Sequence, residues 1–201
     1  LKVAIISGRR LSHIRALIPI HGILLAGTYG IEFLDPFGKK IDRLDFETIR
    51  PYLDKLKPRW QELIHPHQDF YLEDKGWSLA LHAKYVDRNT ADRILHQART
   101  QIDRVGIPED FFRVLGGHKF LEVAPQLANK GLTVRYFLSK YPLAKSLPIY
   151  IGDDDKDEEA FDVILQNAGI AIKVCPQACD TIAQLRLDSP AAVRQFLDSM
   201  L

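Results

Sequence analysis

The sequence is poor in several features that would each point to a particular class of protein. Only 2 of its 201 residues are cysteine, too few for a disulfide-stabilised scaffold. The net charge of +1 gives no field that would attract nucleic acid or a membrane surface. No apolar run approaches the roughly 20 residues that span a bilayer, and no signal peptide is visible. We therefore expect a cytoplasmic protein without nucleic-acid or membrane partners.

The two cysteines, Cys175 and Cys179, are separated by Pro-Gln-Ala. A redox or metal-binding pair is one interpretation, but no further Cys or His stands nearby at ligand spacing. We expect both to be reduced and to act as small apolar residues beside the end of a strand.

The remaining composition, 46% hydrophobic and 26% charged, is that of an ordinary globular chain. Apolar runs alternate with helical patterns at both ends, starting with a strand at residues 1–6, which favours a parallel sheet with helices on both faces. In the last helical pattern, Ser189-Pro190 should supply the N-cap and the first helical residue. The middle of the chain instead follows hairpin and helix patterns. The sequence therefore predicts an α/β core from residues 1–35 and 125–201, with residues 36–124 inserted as an α+β cap domain, or lid.

Two helices in the predicted insert have boundaries that the structure can test. Apolar residues recur at helical spacing over residues 46–63, and Pro51 and Pro58 within this stretch should kink or split the helix. The following helix should be capped near Asn89 or Thr90.

The densest chemical signal lies in residues 147–159. A short apolar run ends at Gly152, and six acidic side chains follow within seven positions. This pattern predicts a buried strand, a tight turn and a helix start. Carboxylates this close oppose folding unless positive charge offsets them, and hard oxygen ligands at a strand end suit Mg²⁺. The alternative interpretation is a solvated, acid-capped helix start.

Two more segments carry groups that suit phosphate chemistry. Ile6-Ser7-Gly8-Arg9 follows a buried strand, so its hydroxyl and backbone N–H groups could hold a phosphate oxygen. Asn129-Lys130-Gly131 opens a helix, where a lysine opposes the helix dipole unless it faces an anion. A solvated surface lysine is the alternative for Lys130. Together with the acidic segment, these residues suggest magnesium-dependent phosphoryl chemistry.

In this order, Ile6-Ser7-Gly8-Arg9, Asn129-Lys130-Gly131 and Gly152-Asp153-Asp154-x-x-Asp157 resemble three motifs of the haloacid dehalogenase superfamily. More closely, the chain is similar to the trehalose-6-phosphate phosphatases. The segment Leu25–Glu32 resembles that family's Gly-Ser-His-Gly-Ala-Glu segment, with Thr28-Tyr29 in place of Ser-His. Further similar segments are Leu72–His82, Leu121–Pro125 and the C-terminal helix. The resemblance implies a Rossmann-like parallel-sheet core with an inserted α+β cap of type IIB.

The resemblance also implies roles for the residues around the phosphoryl group. Ser7 would hydrogen-bond the transferring phosphoryl group, with Gly8 and Arg9 in the same phosphate-binding loop. Lys130 would neutralise the charge of that group and orient the nucleophile.

For the metal, the resemblance implies Mg²⁺ as the cofactor. Asp153 would bind the ion, and Asp154 and Asp157 would assist either directly or through hydrogen bonds to the groups around it. Four further residues would bind sugar hydroxyls or help to close the lid, although ordinary surface charge is the alternative for each: Glu32, Glu73, Lys75 and Glu122.

One family motif is absent from these 201 residues. The Asp-x-Asp-Gly-Thr motif carries the nucleophile that becomes an aspartyl-phosphate and the general acid–base, and it occurs nowhere in the sequence. The sequence begins with Leu1, inside an apolar run. We therefore expect that an N-terminal segment of the active enzyme is missing, and that these residues alone do not turn over.

The resulting hypothesis is a magnesium-dependent phosphatase that hydrolyses trehalose 6-phosphate to trehalose and phosphate in trehalose biosynthesis. Its small-molecule partner would be a sugar phosphate, and a trehalose-phosphate synthase is a candidate protein partner. Two alternatives remain. One is a phosphatase of another sugar phosphate, such as sucrose phosphate or a mannosylglycerate phosphate. The other is a phosphatase-like binding or regulatory domain without catalytic activity.

Overall fold

The structure is a computed structural model that describes residues 2–117, 119–142 and 146–200. Leu1, which was predicted to belong to the first strand, lies outside the described residues. The chain divides into two compact units, residues 1–128 and residues 129–201. The division into a core of residues 1–35 and 125–201 and a cap of residues 36–124 stays a prediction.

The first unit begins with a four-stranded sheet. Its strands are β1 (Ala4–Ile6), β2 (Leu24–Gly27), β3 (Glu32–Leu34) and β4 (Lys40–Asp42), in the order β1-β2-β3-β4. The β1–β2 pair is parallel, and the two later pairs are antiparallel. Helix α1 (Leu11–Leu17) connects the parallel pair and buries Leu11 and Ile14 against Leu25. The predicted strand–helix–strand start of the chain is therefore confirmed.

A second sheet in the first unit is antiparallel throughout. Its strands are β5 (Tyr71–Asp74), β6 (Leu79–His82), β7 (Phe112–Gly117) and β8 (Phe120–Pro125), in the order β5-β6-β8-β7. Helices α2 (Phe46–Ile64) and α3 (Arg88–Val105) share a buried apolar cluster with this sheet. Leu79, Leu81 and Val123 belong to that cluster, because alternate side chains on a strand point to one face. This arrangement confirms the predicted α+β pattern.

The prediction that prolines would split α2 is wrong, because the helix continues from Phe46 to Ile64 through both Pro51 and Pro58. A kink at either proline stays a prediction. A proline inside a helix removes one backbone hydrogen bond and costs about 3 kcal/mol. Packing offsets this cost here. Leu53 and Leu56 are fully buried, and the indole of Trp60 donates a 3.0 Å hydrogen bond from Nε1 to a backbone carbonyl of α3.

The start of α3 also differs from the expected one. The helix is capped by Asp87, whose carboxylate accepts a 3.0 Å hydrogen bond from the backbone N–H of Thr90. Asn89 and Thr90, the predicted caps, lie within the first turn. Asp, Asn and Thr all favour the capping position, so three candidates within four residues could not be separated by residue type.

The second unit is a three-stranded parallel sheet with helices. Its elements are α4 (Lys130–Lys140), β9 (Ile149–Gly152), α5 (Glu158–Gln166), β10 (Ile170–Val174), β11 (Leu185–Leu187) and α6 (Pro190–Asp198), and the strand order is β11-β10-β9. Asn129 caps α4 and Ser189 caps α6, each through a hydrogen bond to a backbone N–H of the first turn. Both helix starts were predicted. Together with the parallel pair β1–β2, this sheet confirms the α/β class.

Two features of the second unit were not predicted. Strand β11 has only three residues, and Arg186 interrupts its apolar pattern, so the sequence gives too short a signal. Cys175 follows β10 and forms a disulfide with Cys179, so the expectation of reduced, separate thiols is wrong. Their expected position beside a strand end is correct. The chain turns back after β10, and the two side chains therefore meet across that turn.

Candidate active site

The loop of residues 7–9 follows β1 at its carboxyl end. The N–H of Ser7 donates to the carbonyl of Ala26 on the neighbouring strand, at 3.0 Å. The Ser7 hydroxyl accepts a 3.2 Å hydrogen bond from the N–H of Arg9, so hydroxyl and backbone are held together. Ser7 and Gly8 are half-buried and Arg9 is exposed. The loop can therefore present a hydroxyl and backbone donors to an anion.

Glu32 lies at the start of β3 and is largely buried. Its Oε1 accepts a 2.9 Å hydrogen bond from the N–H of Leu11, the first residue of α1, and one of 3.3 Å from the Thr28 hydroxyl. Its Oε2 lies 3.6 Å from the Lys40 ammonium. One carboxylate oxygen therefore holds the local structure, and the Glu32 side chain also lines a polar cavity.

This cavity lies within the first unit and has a volume of about 810 Å³. Its lining combines cationic, acidic and aromatic side chains, which include Arg10, Glu32, Lys40, Phe46, Lys75 and Trp77. Polar groups that converge beside aromatic rings are typical of small-molecule sites. Of the four residues predicted to bind sugar, the cavity brings together Glu32 and Lys75. It is not lined by Glu73 or Glu122.

Glu122, on β8, is fully buried and is surrounded by hydrogen-bond donors. Its Oε1 accepts from the Lys75 ammonium at 3.0 Å and from the Ser78 hydroxyl at 2.6 Å. Its Oε2 accepts from the Tyr29 hydroxyl at 2.8 Å. A buried carboxylate needs such partners, because an unpaired buried charge is strongly destabilising. Lys75 therefore connects the cavity to the buried Glu122.

Glu73 is placed differently from the other predicted sugar-binding residues. It pairs with His82 on the adjacent strand, where the Oε2 and Nε2 atoms are 3.1 Å apart. The His82 ring also lies between the rings of Tyr71 and Phe120, with centroid distances of 5.9 and 5.2 Å.

Asp74 fixes the turn that carries Lys75. Arg50 binds both carboxylate oxygens of Asp74 at 2.8 Å, Lys57 binds Oδ2 at 2.8 Å, and the N–H of Gly76 donates to Oδ1 at 2.9 Å. Foremost through the Arg50 hydrogen bonds, these groups hold the pKa of Asp74 well below its usual range. The turn is therefore attached to α2 by a carboxylate that stays charged.

In the second unit, Lys130 and Asp157 form a buried ion pair. Lys130 is the first residue of α4, is 7% exposed, and donates from Nζ to Oδ1 of Asp157 at 2.6 Å. The surface-lysine interpretation of Lys130 is therefore wrong. Tyr150 donates its hydroxyl to the same oxygen at 2.7 Å. Burial, followed by the charge of Asp157, raises the pKa of Tyr150 well above its usual range.

The other oxygen of Asp157 shapes the acidic loop. Oδ2 accepts from the backbone N–H groups of Asp153 and Asp154, at 3.0 and 2.9 Å. The approach is so close that a Cβ at Gly152 would lie 2.6 Å from this oxygen, which explains the glycine. Both oxygens of Asp157 therefore accept hydrogen bonds that position Lys130 and the loop.

Asp153 and Asp154 follow β9 and are exposed. Asp154 accepts from the N–H of Lys156 at 3.3 Å, and the Lys156 ammonium lies 3.5 Å from the same oxygen. Although burial opposes it, the Lys156 N–H and the charges of Lys156 and Lys130 lower the pKa of Asp154. Among the described residues, none hydrogen-bonds to the carboxylate of Asp153, so its oxygens are available to a ligand.

The carboxylates of the loop after β9 are suitable ligands for Mg²⁺, but they do not form a closed metal site. Within residues 2–117, 119–142 and 146–200, no group of three or more His, Cys, Asp and Glu side chains is arranged to hold a metal ion. Mg²⁺ is usually held by one or two carboxylates while it keeps several waters and binds substrate phosphates. The exposed Asp153 and the ionised Asp154 match that donor set, whereas Asp157 has no free oxygen.

A second layer of contacts supports the acidic loop. The buried Lys173 donates to the carbonyl of Asp154 at 3.0 Å and to Glu158 at 3.3 Å. Glu158 also accepts from the hydroxyl of Thr181 and the N–H of Ile182. The sequence did not indicate these partners, or Tyr150 and Ser78, because nothing local to them reveals a contact made by a distant segment.

Comparison with known proteins identifies the class. A sequence profile of the family described as Trehalose-phosphatase matches residues 1–191. The chain therefore belongs to the trehalose-phosphatase family, as its motifs predicted.

Individual relatives agree with this assignment. The trehalose-phosphate phosphatase of Mycobacterium ulcerans (strain Agy99) is 31% identical over 96% of the chain, and the chain spans 50% of that relative's length. The C-terminal domain of C. albicans trehalose-6-phosphate phosphatase has a TM-score of 0.80 at 19% identity, over 99% of this chain and 76% of that one. The C-terminal domain of the Candida albicans trehalose synthase regulatory protein has a TM-score of 0.75 at 12% identity. The match covers 96% of this chain and 79% of that one.

The two solved structures show that the chain shares the fold of these C-terminal domains, in agreement with the predicted α/β class. None of the helices in the described part of the chain is both long enough and apolar enough to cross a membrane.

Proposed function

We propose that this chain forms part of a phosphatase that hydrolyses trehalose 6-phosphate to trehalose and phosphate. Membership of the trehalose-phosphatase family supports the reaction. The polar cavity of the first unit is the observation that supports trehalose 6-phosphate as the substrate. At about 810 Å³, with Glu32 and Lys75 beside Phe46 and Trp77, this cavity suits a disaccharide with many hydroxyl groups. A monosaccharide phosphate would leave much of the cavity unfilled.

The residues of the phosphate chemistry have separate roles in this proposal. Ser7 donates its hydroxyl to a phosphoryl oxygen, and Gly8 and Arg9 offer backbone donors from the same loop. Lys130 neutralises the negative charge that the phosphoryl group carries. Asp157 holds the Lys130 ammonium in place through their 2.6 Å contact. Positioning and charge stabilisation account for most of the catalysis of phosphoryl transfer.

Asp153 and Asp154 would hold Mg²⁺. When bound, Mg²⁺ neutralises phosphoryl oxygens that would otherwise repel a nucleophile. Asp157 does not bind the ion in this proposal but orients the loop through the N–H groups of Asp153 and Asp154.

Lys75 and Glu32 would bind sugar hydroxyls in the cavity. Glu122 supports Lys75 as its buried partner, and Glu73 acts at a separate place on the second sheet through its pairing with His82. A cytoplasmic location and a trehalose-phosphate synthase as protein partner belong to the same proposal, which the chemistry of trehalose synthesis motivates.

The aspartate nucleophile of the family has no equivalent within the 201 residues. We therefore expect these residues alone to bind sugar phosphate without releasing phosphate. Activity should be tested with the protein of the natural reading frame, including any residues that the gene encodes ahead of Leu1. If that protein also binds without turnover, the regulatory alternative is favoured.

A substrate panel tests the proposal. Phosphate release should be measured with Mg²⁺ on trehalose 6-phosphate, sucrose 6-phosphate, mannosylglycerate phosphate and glucose 6-phosphate. We expect kcat/KM for trehalose 6-phosphate to exceed the others by at least about tenfold, equal to about 1.4 kcal/mol of transition-state binding. A higher value for another sugar phosphate would replace the proposed substrate with that one.

A further inference from the structure

The turn at residues 28–30 has a backbone conformation that side chains rarely adopt. Thr28 and Tyr29 have φ angles of 47° and 57°, in the left-handed region that disfavours β-branched and bulky residues. Such strain persists only where the surrounding structure fixes it, and it is frequent at functional sites. Here the N–H groups of Thr28 and Tyr29 donate to the carbonyls of Arg9 and Ser7, both at 2.8 Å. The strained turn is therefore hydrogen-bonded directly to the Ser7–Arg9 loop.

The side chain of Tyr29 lies against the same loop at Gly8. A Cβ at Gly8 would lie 2.7–2.9 Å from the Cζ, Cε1 and hydroxyl atoms of the tyrosine ring. Only a glycine permits this approach. Tyr29 is 6% exposed, so its ring is fixed by packing. Its conformation is therefore tied to that of the loop.

The hydroxyl of Tyr29 reaches a second group, which belongs to the other sheet of the unit. It donates at 2.8 Å to Oε2 of Glu122 on β8. The opposite oxygen of Glu122 holds Lys75, which lines the cavity, and the Lys75 ammonium also lies 5.7 Å from the centre of the Tyr29 ring. One side chain thus connects the Ser7–Arg9 loop with the ion pair beside the cavity.

We propose that Tyr29 is a positioning residue that couples the binding of phosphate at the Ser7–Arg9 loop to the binding of sugar beside Lys75. This inference rests on the proposed function. An anion on the loop restricts Gly8, which restricts the tyrosine ring and so fixes Glu122 and Lys75. Sugar that binds afterwards has less ordering to impose, and its affinity rises. By linkage, sugar must raise the affinity for phosphate by the same factor.

The coupling can be measured without turnover. Calorimetry on the protein of the natural reading frame, with Mg²⁺, gives the Kd of trehalose with and without saturating inorganic phosphate. We expect phosphate to lower that Kd about tenfold in the wild-type protein, which lies within the usual range of such couplings. In Tyr29→Phe the ring still packs on Gly8, but the link to Glu122 is lost. In this variant, the ratio of the trehalose Kd without phosphate to the Kd with phosphate should fall below about threefold. Trehalose and phosphate should each still bind alone.

Ser78→Ala is the matched control. It removes a hydrogen bond to Oε1 of the same carboxylate, but it leaves the hydrogen bond from Tyr29 to Oε2 in place. This variant should weaken trehalose binding by a similar factor with and without phosphate, so the ratio of the two Kd values stays near tenfold. A merely structural role of Tyr29 would not separate the two variants. If Tyr29→Phe fails to fold, the wild-type protein alone still tests the coupling, because equal trehalose Kd values with and without phosphate overturn it.

The outcomes distinguish the inference from the function on which it rests. A wild-type ratio near one, or an unchanged ratio in Tyr29→Phe, overturns the coupling while the phosphatase proposal stands. Failure of trehalose to bind the wild-type protein under either condition contradicts the proposed substrate, and the inference then falls with it.

Discussion

At the scale of the residue, the candidate site depends on charges that have fixed partners. Asp157 uses both oxygens to hold Lys130, Tyr150 and the loop after β9, and Glu122 is enclosed by Lys75, Ser78 and Tyr29. The carboxylate of Asp153, by contrast, has no hydrogen-bond partner among the described residues. This contrast separates groups that maintain the site from one that can bind a ligand.

Asp153→Asn should weaken Mg²⁺ binding, because it removes a charged oxygen while it keeps the shape of the side chain. We expect the Kd for Mg²⁺, measured by calorimetry, to rise at least about tenfold and activity at limiting Mg²⁺ to fall with it. Asp155→Asn, at an exposed position of the same loop, is the control and should change neither. A Mg²⁺ titration of Asp153→Asn that overlays the wild-type curve would remove Asp153 from the metal site.

Lys75→Ala should impair the disaccharide phosphate far more than p-nitrophenyl phosphate, a small ester that does not fill the cavity. We expect kcat/KM to fall about 100-fold for the first substrate and less than about threefold for the second. The variant also leaves Glu122 without its cation, which should destabilise the protein by about 3 kcal/mol. The ratio between substrates cancels any loss of folded enzyme.

Lys84→Ala, an exposed lysine beyond β6, is the control for this experiment and should leave both rates as they are. Equal losses of Lys75→Ala on both substrates would show that Lys75 does not contact the sugar.

At the scale of the element, the turn between β5 and β6 is attached to α2 through Asp74. Arg50 and Lys57 are seven residues apart, so they lie on the same face of that helix, two turns apart, and both reach the same carboxylate. The turn carries Lys75, so the orientation of a predicted sugar-binding residue depends on a salt bridge with a helix. Loss of this bridge should affect stability in a way that depends on pH.

The pKa of Asp74 is lowered in the folded state, so its contribution is present in full above the pKa of the unfolded carboxyl group, near 4. It is lost as the pH falls below that value. We expect Asp74→Asn to lower the free energy of unfolding by about 2 kcal/mol at pH 7, with a smaller difference below about pH 4. Denaturant unfolding at several pH values measures this.

Asp54→Asn is the control, since Asp54 pairs with the same Arg50 but its side chain is 56% exposed. Its loss should cost no more than about 0.5 kcal/mol at any pH. If the free energy of unfolding of Asp74→Asn differed from that of the wild-type protein by the same amount from pH 3 to pH 8, the proposed ionisation of Asp74 would be contradicted.

The elements also show what the sequence can predict. Strong local signals, such as Asn129 before α4 and Ser189-Pro190 before α6, placed helix starts correctly. The continuity of α2 through Pro51 and Pro58 depends on burial of its apolar face, which local rules do not contain. The motif residues were found by resemblance, whereas their partners were not. Lys130 and Asp157 are 27 residues apart, and only the folded chain reveals that they meet.

At the scale of the whole molecule, the chain has two compact units that both carry family motifs. The first holds the Ser7–Arg9 loop, the polar cavity and the Tyr29–Glu122 contact. The second holds Lys130 and the acidic loop after β9. The proposed activity needs contributions from both, and the chain spans half the length of the M. ulcerans relative. The choice of substrate is therefore measured on the protein of the natural reading frame.

Competition between two substrates measures that choice most directly. The protein of the natural reading frame is mixed with Mg²⁺ and equal amounts of trehalose 6-phosphate and sucrose 6-phosphate, and ³¹P NMR follows both esters in one tube. Their relative disappearance gives the ratio of the two kcat/KM values, independent of enzyme concentration. We predict that trehalose 6-phosphate is consumed at least about tenfold faster. Faster loss of sucrose 6-phosphate, or no loss of either ester, would contradict the proposed function.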